Sequence, residues 1–319
     1  MKPIQILFII LLAGLLATLP TFITAESTLN LAVYVLLFVS IASSWNILGG
    51  FSGQTNLGHA AFFGAGALVT RILWLAGWHI LLSMLAGALV AVVLALIIGV
   101  PAFRLRGVYF AIGTLALSQI LYIAVGNEFS TISSIPAQDL ATYSLVPRYY
   151  LLLGVALVTV GASYVLLHSR FGLGITAVRE EEDAAESLGV SALRHKLLAL
   201  GISAFFGGLT GGAYAFYQVG YYPQYTFGPE WTFDSMMMAY IGGVGTIVGP
   251  VIGAVFFTVL REFLALNYPG FHLIIFGVLF ILVVLFLPDG FMGVWKKIQK
   301  RLARGSKDRQ AQLVTKSPS

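Results

Sequence analysis

The chain is 319 residues long, 58% of them hydrophobic and only 10% charged, with a net charge of +5 and a mean hydropathy of +0.91. A soluble globular domain carries roughly 25% charged residues, so this composition cannot cover its apolar side chains with a polar surface, and a water-soluble protein is excluded. There is no cysteine, which excludes a disulfide framework, a thiolate metal site and a cysteine nucleophile.

Apolar segments run over 4–24, 29–49, 58–77, 80–100, 108–126, 149–168, 197–217, 232–265 and 272–288. Most are close to the ~20 residues that cross ~30 Å of hydrocarbon as a helix. Lys2, the apolar run to Leu19 and the Ile23-Thr24-Ala25 stretch resemble a signal peptide. Ile23 is a poor small residue before a cleavage site, however, so the segment is read as an uncleaved first span. Nine crossings with the N-terminus inside would leave the C-terminal tail outside. That tail carries Lys296, Lys297, Lys300, Arg301, Arg304, Lys307, Arg309 and Lys316 against Asp308, and basic flanks stay in the cytoplasm. The segment 232–265 is too long for one span and is interrupted by GGVGTIVGP, Gly242–Pro250. Glycine and proline cost a helix interior about 1 and 3 kcal/mol, so two pieces are expected, 232–247 and 248–265.

Ten segments then place both termini in the cytoplasm. Arg104, Arg106, Arg170, Arg179, Arg194 and Lys196 fall inside, and the loop 127–148 falls outside. The expected fold is all-α and polytopic, with about ten transmembrane or broken helices. A membrane domain covers 1–295, with an inner loop at 170–196, and a basic tail covers 296–319. The tail reads as a membrane-flanking anchor, not as a nucleic-acid contact.

Residues 49–67, GGFSGQTNLGHAAFFGAGA, and 242–257, GGVGTIVGPVIGAVFF, share a Gly-Gly start, a Gly-interrupted polar patch and a small-residue helix. They read as two pseudo-repeated halves. Paired Gly- or Pro-broken apolar segments point to a transport pathway, whereas small residues alone let helices pack closely. Gly64, Gly66, Gly211 and Gly212 are assigned to packing. The breaks carry polar side chains, so Gln54, Asn56, His59, Gly242, Gly243, Gly245, Thr246, Gly249 and Pro250 are assigned to the path. His59 has no second ligand at metal spacing and reads as a hydrogen-bonded packing histidine. Arg71, deep in its span, is expected to snorkel to the outer side. Glu230 and Asp234 mark the outer entry to the broken segment, as mouth residues or as a solvated helix end.

No intramembrane chain of acids is present, although ion-coupled carriers keep such groups despite a cost of ~2.5–3.5 kcal/mol each. No Gly-Lys dipeptide occurs, so the phosphate-binding loop is missing. The chain is therefore expected to bind no cofactor of its own, and any ATP sits on another subunit.

The inner loop reads FGLGITAVREEEDAAESLGVSALRHK. A single helix over 176–188 is expected, with Glu180, Glu181 and Glu182 in its first turns, where the helix dipole favours them. Gly189 serves as its C-terminal stop, and Ser191 as the cap of the next span. Val178, Ala185 and Leu188 would share one face, suited to docking on a partner, although such charge runs are usually solvated loops.

The stretch VREEEDAAESLGVSALRHKLLALGISAFFGGLTGGAYA resembles the coupling region of the branched-chain amino acid ABC transporter permeases, LivM-type. NILGGFSGQTNLGHAAFFGAGA, IGGVGTIVGPVIGA and FLPDGFMGV resemble that family's first-half, second-half and closing motifs, in order from Ile47 to Val294. The resemblance implies a bacterial inner-membrane permease, itself no enzyme. Its implied partners are a second, LivH-type permease, two cytoplasmic ATPase subunits and a periplasmic solute-binding protein. It implies ATPase coupling through Arg179, Glu180, Ala184, Ala185, Glu186, Leu188 and Gly189, and a path flanked by the two breaks. The outer loop GNEFSTISSIP keeps Ile135-Pro136 but lacks the glycine run common in the family. The alternatives are urea, short-amide or other amino acid cargo on the same machine, or an ion-coupled carrier acting alone.

Overall fold

The computed structural model describes residues 14–23, 25–129, 140–141, 143–268 and a few positions between 270 and 293. Most of the expected segments 4–24 and 272–288, the Ile135-Pro136 loop and the tail 296–319 lie outside the described residues. So do the termini, whose sidedness was an expectation.

The described residues are helical. Helix α1 (Glu26–Asn46) continues into a π-helical turn, Ile47–Phe51. Then come α2 (His59–Leu75), α3 (Ile80–Ala102), α4 (Val108–Glu128) and α5 (Leu145–Leu167). The inner loop holds α6 (Arg170–Glu180) and α7 (Glu182–Ser187), and α8 (Ala192–Tyr217) follows. A short turn α9 (Pro223–Thr226) leads to α10 (Pro229–Gly242) and α11 (Val248–Asn267). Among the described residues six helices are long and apolar enough to cross a membrane. By a rise of 1.5 Å per residue, α2 and α10 reach only about 26 and 21 Å, less than the ~30 Å of a hydrocarbon core. The chain is a polytopic helical membrane protein.

The break expected within 232–265 is present over residues 243–247, although the first arm runs from Pro229 only to Gly242. Gly243 and Gly245 adopt φ of +125° and +76°, a region in which a Cβ is strained. Two glycine-broken segments result, one between α1 and α2 and one between α10 and α11, and only the second folds its arms together as a hairpin.

Helix α1 runs through the centre and packs against α5, α8, α10 and α11. Leu37, Ile41, Phe63, Tyr149, Leu152, Met238 and Phe257 form the surrounding core. Helices α2, α3 and α8 pack as a tight triple through small residues. A Cβ on Gly66 would overlap the Gly208 backbone, one on Gly211 would strike the Phe63 carbonyl, and one on Gly212 would lie 2.6 Å from Thr70 Oγ1. Lipid tails give apolar helices no hydrophobic reason to associate, so such close approach and interhelical hydrogen bonds hold them together. Ser40 supplies two of these bonds, to Thr159 (3.2 Å) and Thr210 (2.7 Å).

Three expectations about the inner loop and one about α2 need correction. No single helix spans 176–188: the helix breaks at Glu181, whose φ and ψ are −156° and 111°. Three consecutive acids at the C-terminal end of α6 would oppose its dipole. The break instead puts Glu182 and Asp183 in the first turn of α7, where negative charge is favoured. Glu182 then pairs with Lys196 at 2.5 Å. Val178 and Ala185 do share a packed face, with Ala192, but Leu188 points away and is 85% exposed. Ser191 occupies the N-cap position of α8, yet its side chain makes no cap bond. Arg71 does not snorkel. It is fully buried and donates to the carbonyls of Ala215, Gln218 and Val219 at 3.0–3.2 Å, where the C-terminal end of α8 favours a cation.

Candidate functional site: the two breaks and the inner loop

Past the π turn the chain runs without helix from Ser52 to Gly58. Non-helical polar groups at membrane depth need partners inside the protein, and several of those in this stretch have one, although Ser52 Oγ and Asn56 Nδ2 do not. Gln54 N–H donates to Leu48 O (3.3 Å), Leu57 N–H to Thr114 Oγ1 (3.1 Å) and Gly58 N–H to Asn56 Oδ1 (2.8 Å). Trp45 Nε1 donates to Asn56 O (2.8 Å), and Thr232 Oγ1 accepts from Ala60 N–H (2.8 Å) in the first turn of α2. Thr232 stands eleven residues before Gly243, about 16 Å of helix rise. Helix α2 therefore starts about that far along α10 from the second break.

His59, the first residue of α2, is fully buried. Its Nε2 lies 2.9 Å from Ser44 Oγ, and the Ser44 hydroxyl donates to Ile41 O (2.8 Å), so His59 is the donor to Ser44. It packs under Gly207, where a Cβ would come within 3.1 Å of the ring. This is a hydrogen-bonded packing histidine. Among the described residues no group of three His, Cys, Asp or Glu could hold a metal ion.

The second break is braced from within. Thr246 Oγ1 donates to Gly243 O (2.7 Å) and accepts from Gly249 N–H (3.0 Å). Gly242, Gly249 and Gly253 are crossing points of α10 and α11, where any Cβ would overlap backbone. Pro250 lies in the first turn of α11, where a missing N–H costs little.

These two breaks, distant in sequence, lie against each other. The buried amide of Asn46, at the end of α1, donates from Nδ2 to Thr246 O (2.8 Å) and accepts Gly245 N–H at Oδ1 (2.8 Å). A Cβ on Gly50 would stand 2.7 Å from Gly245 N. The inner loop joins them: Arg179 Nη1 donates to Gly50 O (2.7 Å), and its head abuts Gly245. The closing stretch arrives there too, since a Cβ on Gly290 would sit 2.6 Å from Gly243 N. All four stretches that carry the family resemblance thus meet at one place.

The expected path residues divide. Asn56, His59, Gly242, Gly243, Gly249 and Pro250 are buried and build the breaks, while Gln54, Gly245 and Thr246 keep some accessible surface. Of the expected coupling residues, Arg179, Glu180, Ala184, Glu186, Leu188 and Gly189 are exposed and Ala185 is buried against Val178, while the Arg179 head reaches back to the breaks. Sequence reasoning missed Asn46, Ser44 and Gly290. Asn46 had a signal, as an amide deep in an apolar span, where polar side chains are expensive and commonly functional. Glu230 is exposed, whereas Asp234 pairs with Arg261 at 2.9 Å.

A multi-pass bundle whose two broken segments meet at a charged loop has the build of a transport permease. The chain belongs to the family described as Branched-chain amino acid transport system / permease component, which it matches over residues 27–284. It is an ABC importer permease, not itself catalytic, of a family that works with ATPase and binding-protein partners. It is 28% identical to the high-affinity branched-chain amino acid transport system permease protein LivM of Escherichia coli, over 94% of this chain and 79% of that one. A probable branched-chain amino acid transport permease protein LivM of Methanocaldococcus jannaschii is 23% identical over 66% of this chain and 67% of its own. The L-arabinose ABC transporter permease protein AraH of Azospirillum brasilense is 26% identical over 89% and 86%.

Proposed function

We propose that this chain is the LivM-type half of an importer that moves branched-chain amino acids into the cell, driven by ATP hydrolysed on two cytoplasmic ATPase subunits. A LivH-type permease completes the membrane part, and a periplasmic binding protein delivers the solute. In this reading the 170–196 loop and both termini are cytoplasmic. The exposed edge of α7, with Ala184, Glu186, Leu188 and Gly189, then docks on an ATPase, and Gln54, Gly245 and Thr246 face the path.

The observation that carries the reading is Leu188. It is 85% exposed on a loop outside the apolar spans, next to Glu186 and Gly189. A bare leucine of this kind, beside charged residues, suits the cleft of a protein partner. The LivM relatives support the branched-chain cargo.

The test is purification of the tagged chain from its native host in mild detergent, with mass spectrometry of what accompanies it, followed by ATP-dependent uptake in vesicles. Recovery of a second permease and an ATPase, with leucine uptake, supports the proposal. The arabinose-permease relative favours a second reading, sugar cargo on the same scaffold. Arabinose uptake without leucine uptake selects it, and urea or short-amide uptake selects the corresponding cargo. A chain that purifies alone and transports under an ion gradient overturns the importer reading.

A further inference from the structure

The side chain of Arg179 has a task that docking on an ATPase does not explain. Its Nη1 donates to Gly50 O at 2.7 Å, across 129 residues of sequence. Gly50 lies in the π turn that ends α1. The last carbonyls of a helix lack intrahelical partners and carry its negative pole, so the guanidinium closes α1 from another element. The stem of Arg179 runs over Gly53, where a Cβ would sit 3.0 Å from Cγ, and its head abuts Gly245, where a Cβ would overlap Nη1. Both glycines have positive φ, +70° and +76°. One arginine thus touches the first break, the second break and the helix end between them.

We propose that Arg179 is a positioning residue that latches the inner loop to both breaks, so that a displacement of the loop withdraws the guanidinium and frees α1 and the 243–247 turn to move. The neighbouring exposed residues receive the partner's push, and Arg179 passes it inward. A hydrogen bond of 2.7 Å does not survive a shift of more than about 1 Å, so small loop movements switch the contact. Asn46 still ties the breaks to each other when Arg179 leaves, so they move as a pair. This inference rests on the reading of the loop as the ATPase contact.

The test uses the complete transporter with all its subunits. Arg179→Ala should still assemble with the ATPases while solute uptake per ATP hydrolysed falls about tenfold, within the usual range of coupling factors. Gly245→Ala leaves Arg179 in place but fills the space of its head, and should give the same defect. Arg179→Lys should recover part of the coupling, because an ammonium can still reach Gly50 O. Uptake per ATP unchanged in assembled Arg179→Ala or Gly245→Ala overturns the latch.

A second measurement reads the loop displacement itself, and an Arg179→Ala chain that fails to assemble with its ATPases shows a merely structural role and overturns the latch. The chain has no cysteine, and a Cβ on Gly53 would lie 3.7 Å from Arg179 Cβ, within disulfide range. The pair Gly53→Cys with Arg179→Cys should cross-link readily in the nucleotide-free transporter and about tenfold more slowly with ATP and vanadate. Equal rates in the two states overturn the proposal. Failure of the docking reading shows separately, as Leu188→Asp retaining its ATPases.

Discussion

Asn46→Ala removes a side chain that hydrogen-bonds the end of α1 to the second break. It deletes the donor to Thr246 O and the acceptor of Gly245 N–H, both at 2.8 Å. A buried polar group left without its partner costs ~1–3 kcal/mol. Gly245 and Thr246 are half-buried, so water can partly replace the amide and the lower end applies to each, about 2 kcal/mol together. At ~2–4 °C per kcal/mol for a chain of this size class, the unfolding midpoint in detergent should fall by several degrees. Asn46→Asp should be no better. It keeps an acceptor for Gly245 N–H but sets a carboxylate against the Thr246 carbonyl, which loses its donor. The assay is thermal unfolding of the purified complex followed by tryptophan fluorescence, paired with uptake in vesicles. An Asn46→Ala protein that melts and transports like the wild type would refute the idea that this amide holds the breaks together.

Leu188→Asp should abolish co-purification of the ATPases while changing stability by no more than about 0.5 kcal/mol, because the side chain is 85% exposed; retained ATPase at normal stoichiometry counts against the docking edge. Gly211→Ala places a methyl against the Phe63 carbonyl and 3.1 Å from Ala67 N. It should separate α2 from α8 and leave little folded protein, read by fluorescence-detected size exclusion. Arg71→Met removes charged donors from three carbonyls near the end of α8, and at ~1.5–3 kcal/mol for a hydrogen bond to a charged group it should lower the melting midpoint more than Asn46→Ala does. A smaller drop than that of Asn46→Ala would show that the α8 end does not depend on this cation.

Hydropathy, glycine and proline are local properties, and what they determine was legible in the chain itself. The apolar runs mark α1 to α5, α8 and the α10–α11 pair. The Gly242–Pro250 stretch announces a break because no straight helix tolerates that composition cheaply. His59 was legible as a packing residue from the absence of a second ligand, and Gly189, at φ +85°, as the stop of the loop helix. The inner helix was misjudged because periodicity did not weigh the unfavourable charges at the end of α6 against a new start at Glu182, where Lys196 waits.

What only the tertiary structure decided is which distant groups meet. Asn46 and Gly245 stand 199 residues apart, and Arg179 and Gly50 stand 129 apart. No period or motif encodes such a pairing. It follows from orphan groups, the open end of α1 and the unpaired amides of a glycine turn, which need hydrogen-bond partners where they are buried. They are satisfied by whichever polar side chains the packing of α1, α10, α11 and the inner loop brings within reach. The sequence alone thus determined where the helices must break, and the fold determined what holds the broken ends together.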